Sequence, residues 1–201
     1  MKKVFPLIIA VLLSGMAMGQ NSFGIKGGLN VAKLKLSVGS ASGSSDDLLS
    51  FHAGFYATLM TSEKFGFQPE IYYSAQGGGG SGGDFKMGYI NVPVMMRFSL
   101  SDGISLQAGP QLSFLMNATV GGVDAKSAMN TVDFGAGFGL GLDRPSGVNF
   151  TFRYNIGFTN TLTPSATSQI SGLGLGSISM TNQVIQFSLG FRLGGGEAVA
   201  K

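Results

Sequence analysis

Beyond the first nineteen residues, large apolar side chains alternate with small or polar ones in eight separate stretches. A period of two sends successive side chains to opposite faces of a strand, so each stretch has one apolar and one polar face. The sixth is the plainest: Val132, Phe134, Ala136, Phe138, Leu140 and Leu142 alternate with Asp133, Gly135, Gly137, Gly139 and Gly141. The second sets Phe51, Ala53, Phe55, Ala57 and Leu59 against His52, Gly54, Tyr56, Thr58 and Met60. In the seventh, Val148, Phe150, Phe152, Tyr154, Ile156 and Phe158 face away from Asn149, Thr151, Arg153, Asn155, Gly157 and Thr159. Stretches near 22–36, 65–76, 89–98, 104–114 and 184–193 behave alike. The pattern puts Pro93 on a polar face and Pro110 on an apolar one, and a proline inside a strand ordinarily marks an edge.

The connectors sort into two classes. Short turns at 61–64, 101–103 and 144–147 alternate with longer polar loops near 37–49, 77–86, 119–131 and 160–181. Even strand number with long and short connectors in turn is the pattern of barrels that cross an outer membrane. We therefore predict an all-β, eight-stranded antiparallel up-and-down transmembrane β-barrel. A soluble sandwich also alternates, but it hides its bulky face against a second sheet and has no reason to sort its turns by length. Here the apolar face carries Phe at many sites and the other carries Gly, Ser, Asn and Gln. Lipid outside and a lumen inside satisfy both, and closure leaves no unpaired strand edge.

The N-terminus reads as an export leader. Lys2 and Lys3 precede an apolar run from Val4 to Leu13, and small residues lead to Gly19, so residues 1–19 are expected to be removed, 20–193 to form the barrel and 194–201 a Gly-rich tail. Such a run is too short to span a bilayer, and the rest of the chain has no helical span, so any membrane crossing is by strands. The formal net charge of +3 falls by two with Lys2 and Lys3, to +1, which gives no ground for nucleic-acid binding. The absence of Cys excludes a lipidated cysteine, disulfides and thiol chemistry. With no Trp, an interfacial girdle must rest on Tyr and Phe. Tyr73 and Tyr154, on the lipid side, are either part of it or ordinary strand residues.

Several short segments resemble a known family: Tyr89-Ile90-Asn91-Val92-Pro93-Val94, Ala108-Gly109-Pro110-Gln111, Asp133-Phe134-Gly135 and Arg153 through Asn160. With Phe23 through Asn30, they stand in the order seen in the PorT-like outer-membrane β-barrel porins of the Bacteroidetes, over about Ser22 to Leu193. The resemblance implies an exported eight-stranded barrel, inserted by the barrel-assembly machinery, with some relatives serving secretion or gliding systems. Members commonly end on an aromatic residue of the last strand; Phe191 is the nearest equivalent, and this chain continues past it.

Eight strands enclose a space that side chains can fill. The alternation turns Lys26, His52, Gln68, Glu70, Tyr72, Arg97, Gln107, Asp133, Arg153 and Arg192 inward. Charges there need partners, so Glu70, Arg97, Asp133, Arg153 and Arg192 form a candidate lumen network. Glu70 and Arg153, at similar depth on facing walls, are expected to touch, or else each is solvated by trapped water. The four glycines of the sixth stretch either make room for long side chains or help the sheet bend.

Other chemistry is weakly supported. His52 precedes no motif, but it follows Asp46, Asp47 and Ser50 and could serve as a general base; a packed hydrogen-bonding role fits a lone lumen His better. Two adjacent carboxylates lack the spaced oxygen ligands of a calcium loop. The Gly77–Gly83 run is followed by no Lys-Ser/Thr and opens no helix, so it is not a phosphate loop. The expected protein uses no metal or cofactor and is not an enzyme. It is a scaffold in outer-membrane lipid whose loops bind a protein partner or assist a surface or secretion system; the alternative is a narrow passive channel.

Overall fold

The computed structural model describes residues 21–80, 83–172 and 177–196. The leader at 1–19 and residues 197–201 of the expected tail lie outside them. Ten strands follow in order: β1 Ser22–Val38, β2 Ala41–Ser44, β3 Leu48–Met60, β4 Phe65–Gly78, β5 Phe85–Ser101, β6 Ile104–Val120, β7 Val123–Asp124, β8 Val132–Asp143, β9 Val148–Gly157 and β10 Ile178–Gly195. All pairings are antiparallel, and the sheet runs β10-β9-β8-β6-β5-β4-β3-β1. β1 then pairs β10 from Ser22↔Gly195 to Val38↔Ile178, which closes the ring. Eight strands make the wall. β2 and β7 fold back on the ends of β1 and β6 as short hairpins.

The total of ten exceeds the predicted eight because two expected loops, 37–49 and 119–131, contain these hairpins. Strands also run past their expected ends. β10 begins at Ile178 inside the expected last loop and continues to Gly195, into the expected tail. The last loop also holds a helix, α1 Pro164–Ile170, capped where the Thr163 hydroxyl accepts from the Ala166 amide at 3.3 Å.

The wall is inverted relative to a soluble protein. Phe51, Phe55, Phe138, Phe152, Phe187 and Leu189 are all exposed, while Asn30, His52, Ser74, Asn91, Gln186 and Arg153 are buried. Aromatic pairs form on the outer surface, with Phe152 and Phe187 opposite one another in the ladder and ring centroids 5.1 Å apart. A continuous apolar belt around a polar interior is stable against lipid and unstable against water. Among the described residues no helix is long and apolar enough to cross a membrane; the strands do so.

β5 is no edge strand, contrary to the expectation from Pro93. In a closed ring it is paired on both sides, to β4 and β6. The missing N–H is absorbed locally instead: the β4–β5 ladder lapses between Pro69↔Val94 and Tyr72↔Asn91, and the β5–β6 ladder between Pro93↔Gln111 and Met96↔Ala108, each resuming in the same register. The prolines cost a few ladder bonds without opening the barrel.

Candidate functional site in the barrel lumen

Inward side chains stack in layers from the end carrying the chain termini to the end carrying the long loops. At the terminal end, the Asn149 amide donates to the Tyr56 hydroxyl at 2.7 Å. Arg97 pairs with Asp143 and donates to Gln68 Oε1 at 3.2 Å.

The next layer holds Glu70, whose side chain is wholly buried. Arg153 grips it with two parallel bonds of 2.9 Å, and Lys26 Nζ lies 2.6 Å from the same carboxylate. Gln68 donates to it at 2.8 Å, and Arg153 also donates to Gln107 at 2.7 Å. Two cations therefore share one anion, a planar fork on one side and an ammonium on the other.

At mid-height His52 is buried with both ring nitrogens engaged, Nδ1 with Asn30 Oδ1 and Nε2 with Ser188 Oγ, each at 2.8 Å. Asn30 Oδ1 also accepts from Gln186 at 3.1 Å, and Tyr72 donates to Gln111 at 2.9 Å. A hydroxyl, an imidazole and an amide in sequence resemble a nucleophile, its base and an orienting group. Here they are packed side by side in the interior, with Ser188 itself buried. Asp46 and Asp47 are elsewhere: Asp46 bridges to Gly79 between two loops, and Asp47 lies 3.8 Å from Lys33 on the surface. The arrangement of His52 with these carboxylates as a general base is thus corrected.

Beyond this layer Asp133 accepts from Asn182 at 3.3 Å, and Asn182 also donates to Tyr89 at 3.3 Å. An apolar cap closes the long-loop end, built from Leu34, Met87, Tyr89, Leu115, Met129 and Met180. There the alternation continues with its inward phase turned greasy.

Of the five charged residues expected to form a network, the structure joins Glu70 directly to Arg153 and, through Gln68, to Arg97. Asp133 stands apart, two layers away. Arg192 sits at the terminal rim and donates to the carbonyls of Gly196 and Pro145 at 3.1 and 3.2 Å. Two partners escaped the sequence reading of the network. Lys26 is among the inward residues but carries no expected partner, and Asp143 falls between the sixth stretch and the 144–147 turn although the β8 alternation, carried one step past Gly141, turns it inward.

The β8 glycines make room, two for side chains and two for neighbouring backbone. A Cβ on Gly137 would meet Asn155 Oδ1 at 2.6 Å and Arg153 Cδ at 3.1 Å, and one on Gly141 would meet Gln107 Nε2 at 2.7 Å. At Gly135 and Gly139 it would strike neighbouring backbone carbonyls, of Ile156 at 2.4 Å and Phe152 at 2.3 Å. Two glycines clear space for side chains, and two let the strands close up.

A closed antiparallel ring with a lipid-facing apolar belt and a packed polar lumen defines a small integral β-barrel of the outer-membrane type. The sequence bears this out: residues 18–163 match the outer membrane protein beta-barrel domain family. The chain belongs to that family, which places it in the outer membrane. No curated protein matches it in sequence. Among solved structures it is similar to Neisserial surface protein A (NspA), with 16% identity and a TM-score of 0.53, covering 85% of this chain and 97% of that one. It is also similar to Ail, the attachment invasion locus protein of Yersinia pestis, at 13% identity and a TM-score of 0.51, covering 88% of this chain and all (100%) of Ail. At these identities the likeness is one of fold.

Proposed function

We propose that the protein is a closed, non-enzymatic scaffold in the outer membrane, and that it acts through the surface at its long-loop end. The observation that carries this reading is the filled lumen. A passing solute would have to break the Lys26–Glu70–Arg153 cluster and then displace the Leu34, Met87, Leu115 and Met180 cap, both of which are buried and bonded or packed from several strands. Function is thereby left to the rim, where a rigid wall holds the loops in space.

The rim suits that role because its loops are tied to one another. Asp46 and Gly79 exchange two backbone bonds of 2.9 and 3.2 Å between adjacent loops. Asn130 donates to the carbonyls of Asn160 and Leu162 at 2.7 and 2.9 Å, and the Thr163 amide donates to Ala128 at 2.9 Å. A pre-ordered surface loses less entropy on binding a partner than free loops would. The resemblance to PorT-like proteins of the Bacteroidetes supports an accessory role in a surface or secretion system, with insertion by the barrel-assembly machinery. Ser188 and His52, the pair with the geometry of a nucleophile and base, serve the packing of the wall in this reading.

The test is conductance of the purified, refolded barrel in planar bilayers. Silence is expected. Steady single-channel steps of uniform size would replace the scaffold with a narrow channel.

A further inference from the structure

Asp133 differs from the other buried carboxylates of the lumen. Glu70 is held by two cations and Asp143 by Arg97, whereas no ion pair among the described residues includes Asp133. It is 6% exposed, its Oδ1 has no hydrogen-bond partner, and the groups that approach the carboxylate, Asn182, Thr159 and the Phe134 amide, are all neutral. A carboxylate so far from water and from any cationic side chain is costly unless something neutralises it.

Two side chains that line the same cavity as Asp133 also carry an unpartnered amide oxygen, Asn155 Oδ1 and Asn182 Oδ1, and are 5% and 3% exposed. Their orientations are fixed by their nitrogens. Asn155 Nδ2 donates to Gln186 Oε1 at 2.8 Å, and Asn182 Nδ2 donates to both Asp133 Oδ2 and Tyr89. A flip of either amide would lose these bonds. Asp133, Asn155 and Asn182 all line one small cavity of about 10 Å³, together with Gln76, Gln111 and Ser113. That is room for one sphere the size of a water molecule. Gly157 keeps the space open, since a Cβ there would lie 2.9 Å from Asp133 Oδ2.

We propose that this cavity is a site for one dehydrated monovalent cation of about sodium's size, bound by Asp133 with Asn155 and Asn182. The chemistry is that of a hard cation: the unpartnered groups are all oxygens, one of them charged and the others amide carbonyls, and Ser113 and Gln76 add further oxygens to the lining. Calcium sites use 6–8 oxygens and usually several carboxylates, so a single carboxylate matches a single positive charge. A water molecule would satisfy the acceptors but leave the negative charge uncompensated.

The experiment compares the thermal unfolding midpoint of the refolded barrel in sodium, lithium, potassium and N-methylglucamine chlorides at equal ionic strength and pH. Sodium is expected to raise the midpoint by about 3 °C or more over N-methylglucamine, an ordinary size of shift for ligand binding to the folded state. Asp133→Asn should abolish the dependence on cation identity, and Asp46→Asn, in a loop, should keep it. Equal midpoints for the unaltered protein in all four salts would overturn the site and leave a proton on Asp133. Should Asp133→Asn fail to fold, the size ordering among the alkali cations in the unaltered protein decides the matter alone.

Discussion

The most exacting test of the lumen is to remove each member of the Lys26–Glu70–Arg153 cluster in turn. Lys26 Nζ and Arg153 Nη1 lie 2.6 and 2.9 Å from the same oxygen, Glu70 Oε2, so they are no more than about 5.5 Å apart. In Glu70→Gln these two cations remain, buried and facing each other across an uncharged amide. At an effective dielectric constant near 20 their repulsion at that separation is about 3 kcal/mol. With the lost charged hydrogen bonds added, the variant should be destabilised by about 4 kcal/mol or more, at the upper end for a broken buried pair.

The single-cation variants should be milder, because each leaves a neutral pair. Arg153→Met removes both arms of the fork and the bond to Gln107, but Lys26 still neutralises Glu70 and Gln68 still donates to it. A loss of about 2 kcal/mol is expected from charged hydrogen bonds. Lys26→Met leaves the bidentate pair intact, forfeits a contact 5.1 Å from the Tyr72 ring centre, and removes the excess positive charge. Its expected change is within about 1 kcal/mol of zero. The assay is denaturant unfolding in lipid vesicles, followed by circular dichroism and by the shift in gel mobility on boiling, since the chain has no Trp for fluorescence. If Glu70→Gln is no less stable than Lys26→Met, the shared-anion account of the cluster is wrong.

Two further predictions concern the wall. Phe152→Arg, on the lipid face of β9, should cost about 2–4 kcal/mol in vesicle unfolding, whereas Val123→Arg, 72% exposed in the β6–β7 hairpin, should cost no more than about 1 kcal/mol. Equal costs would mean that the exposed phenylalanines do not meet hydrocarbon. Gly139→Ala drives a methyl against the Phe152 carbonyl and should lower stability by about 1–3 kcal/mol, more than Gly141→Ala, which meets side-chain atoms, the end of Gln107 and the rotatable Ser105 hydroxyl, rather than backbone; the same unfolding assay ranks them.

The wall was legible in the sequence because lipid imposes one rule on every strand. Phe51, Phe55, Phe134, Phe138, Phe150 and Phe152 must all face outward, so the period of two holds through the middle of each strand and fixes which residues there point inward. What the period cannot carry is who meets whom across the lumen. Glu70 and Arg153 could be set opposite each other by counting along strands, but Lys26 lies on β1, and its meeting with Glu70 depends on how the ring closes and on which long side chains bend toward the axis. Lys26 is therefore the cation that keeps Glu70 paired when Arg153 is lost.

The long-loop end was harder to read, and the cause is a change of environment along each strand. Past mid-height the inward positions pass from Asn30, Gln111 and Gln186 to Leu34, Leu115 and Met180, while the outward neighbours in β1 and β10 turn polar, at Lys33, Lys35, Ser179 and Thr181. The alternation there does not stop but reverses its phase: polar within and apolar without along the belt becomes apolar within and polar without at the cap. A segment whose outward positions are polar reads as the start of a loop once it reaches Gly or Ser. A strand that has left hydrocarbon and still encloses a sealed interior needs that reversal, so the switch in β1 and β10 is itself the mark of the cap, and with it of a barrel built to be closed.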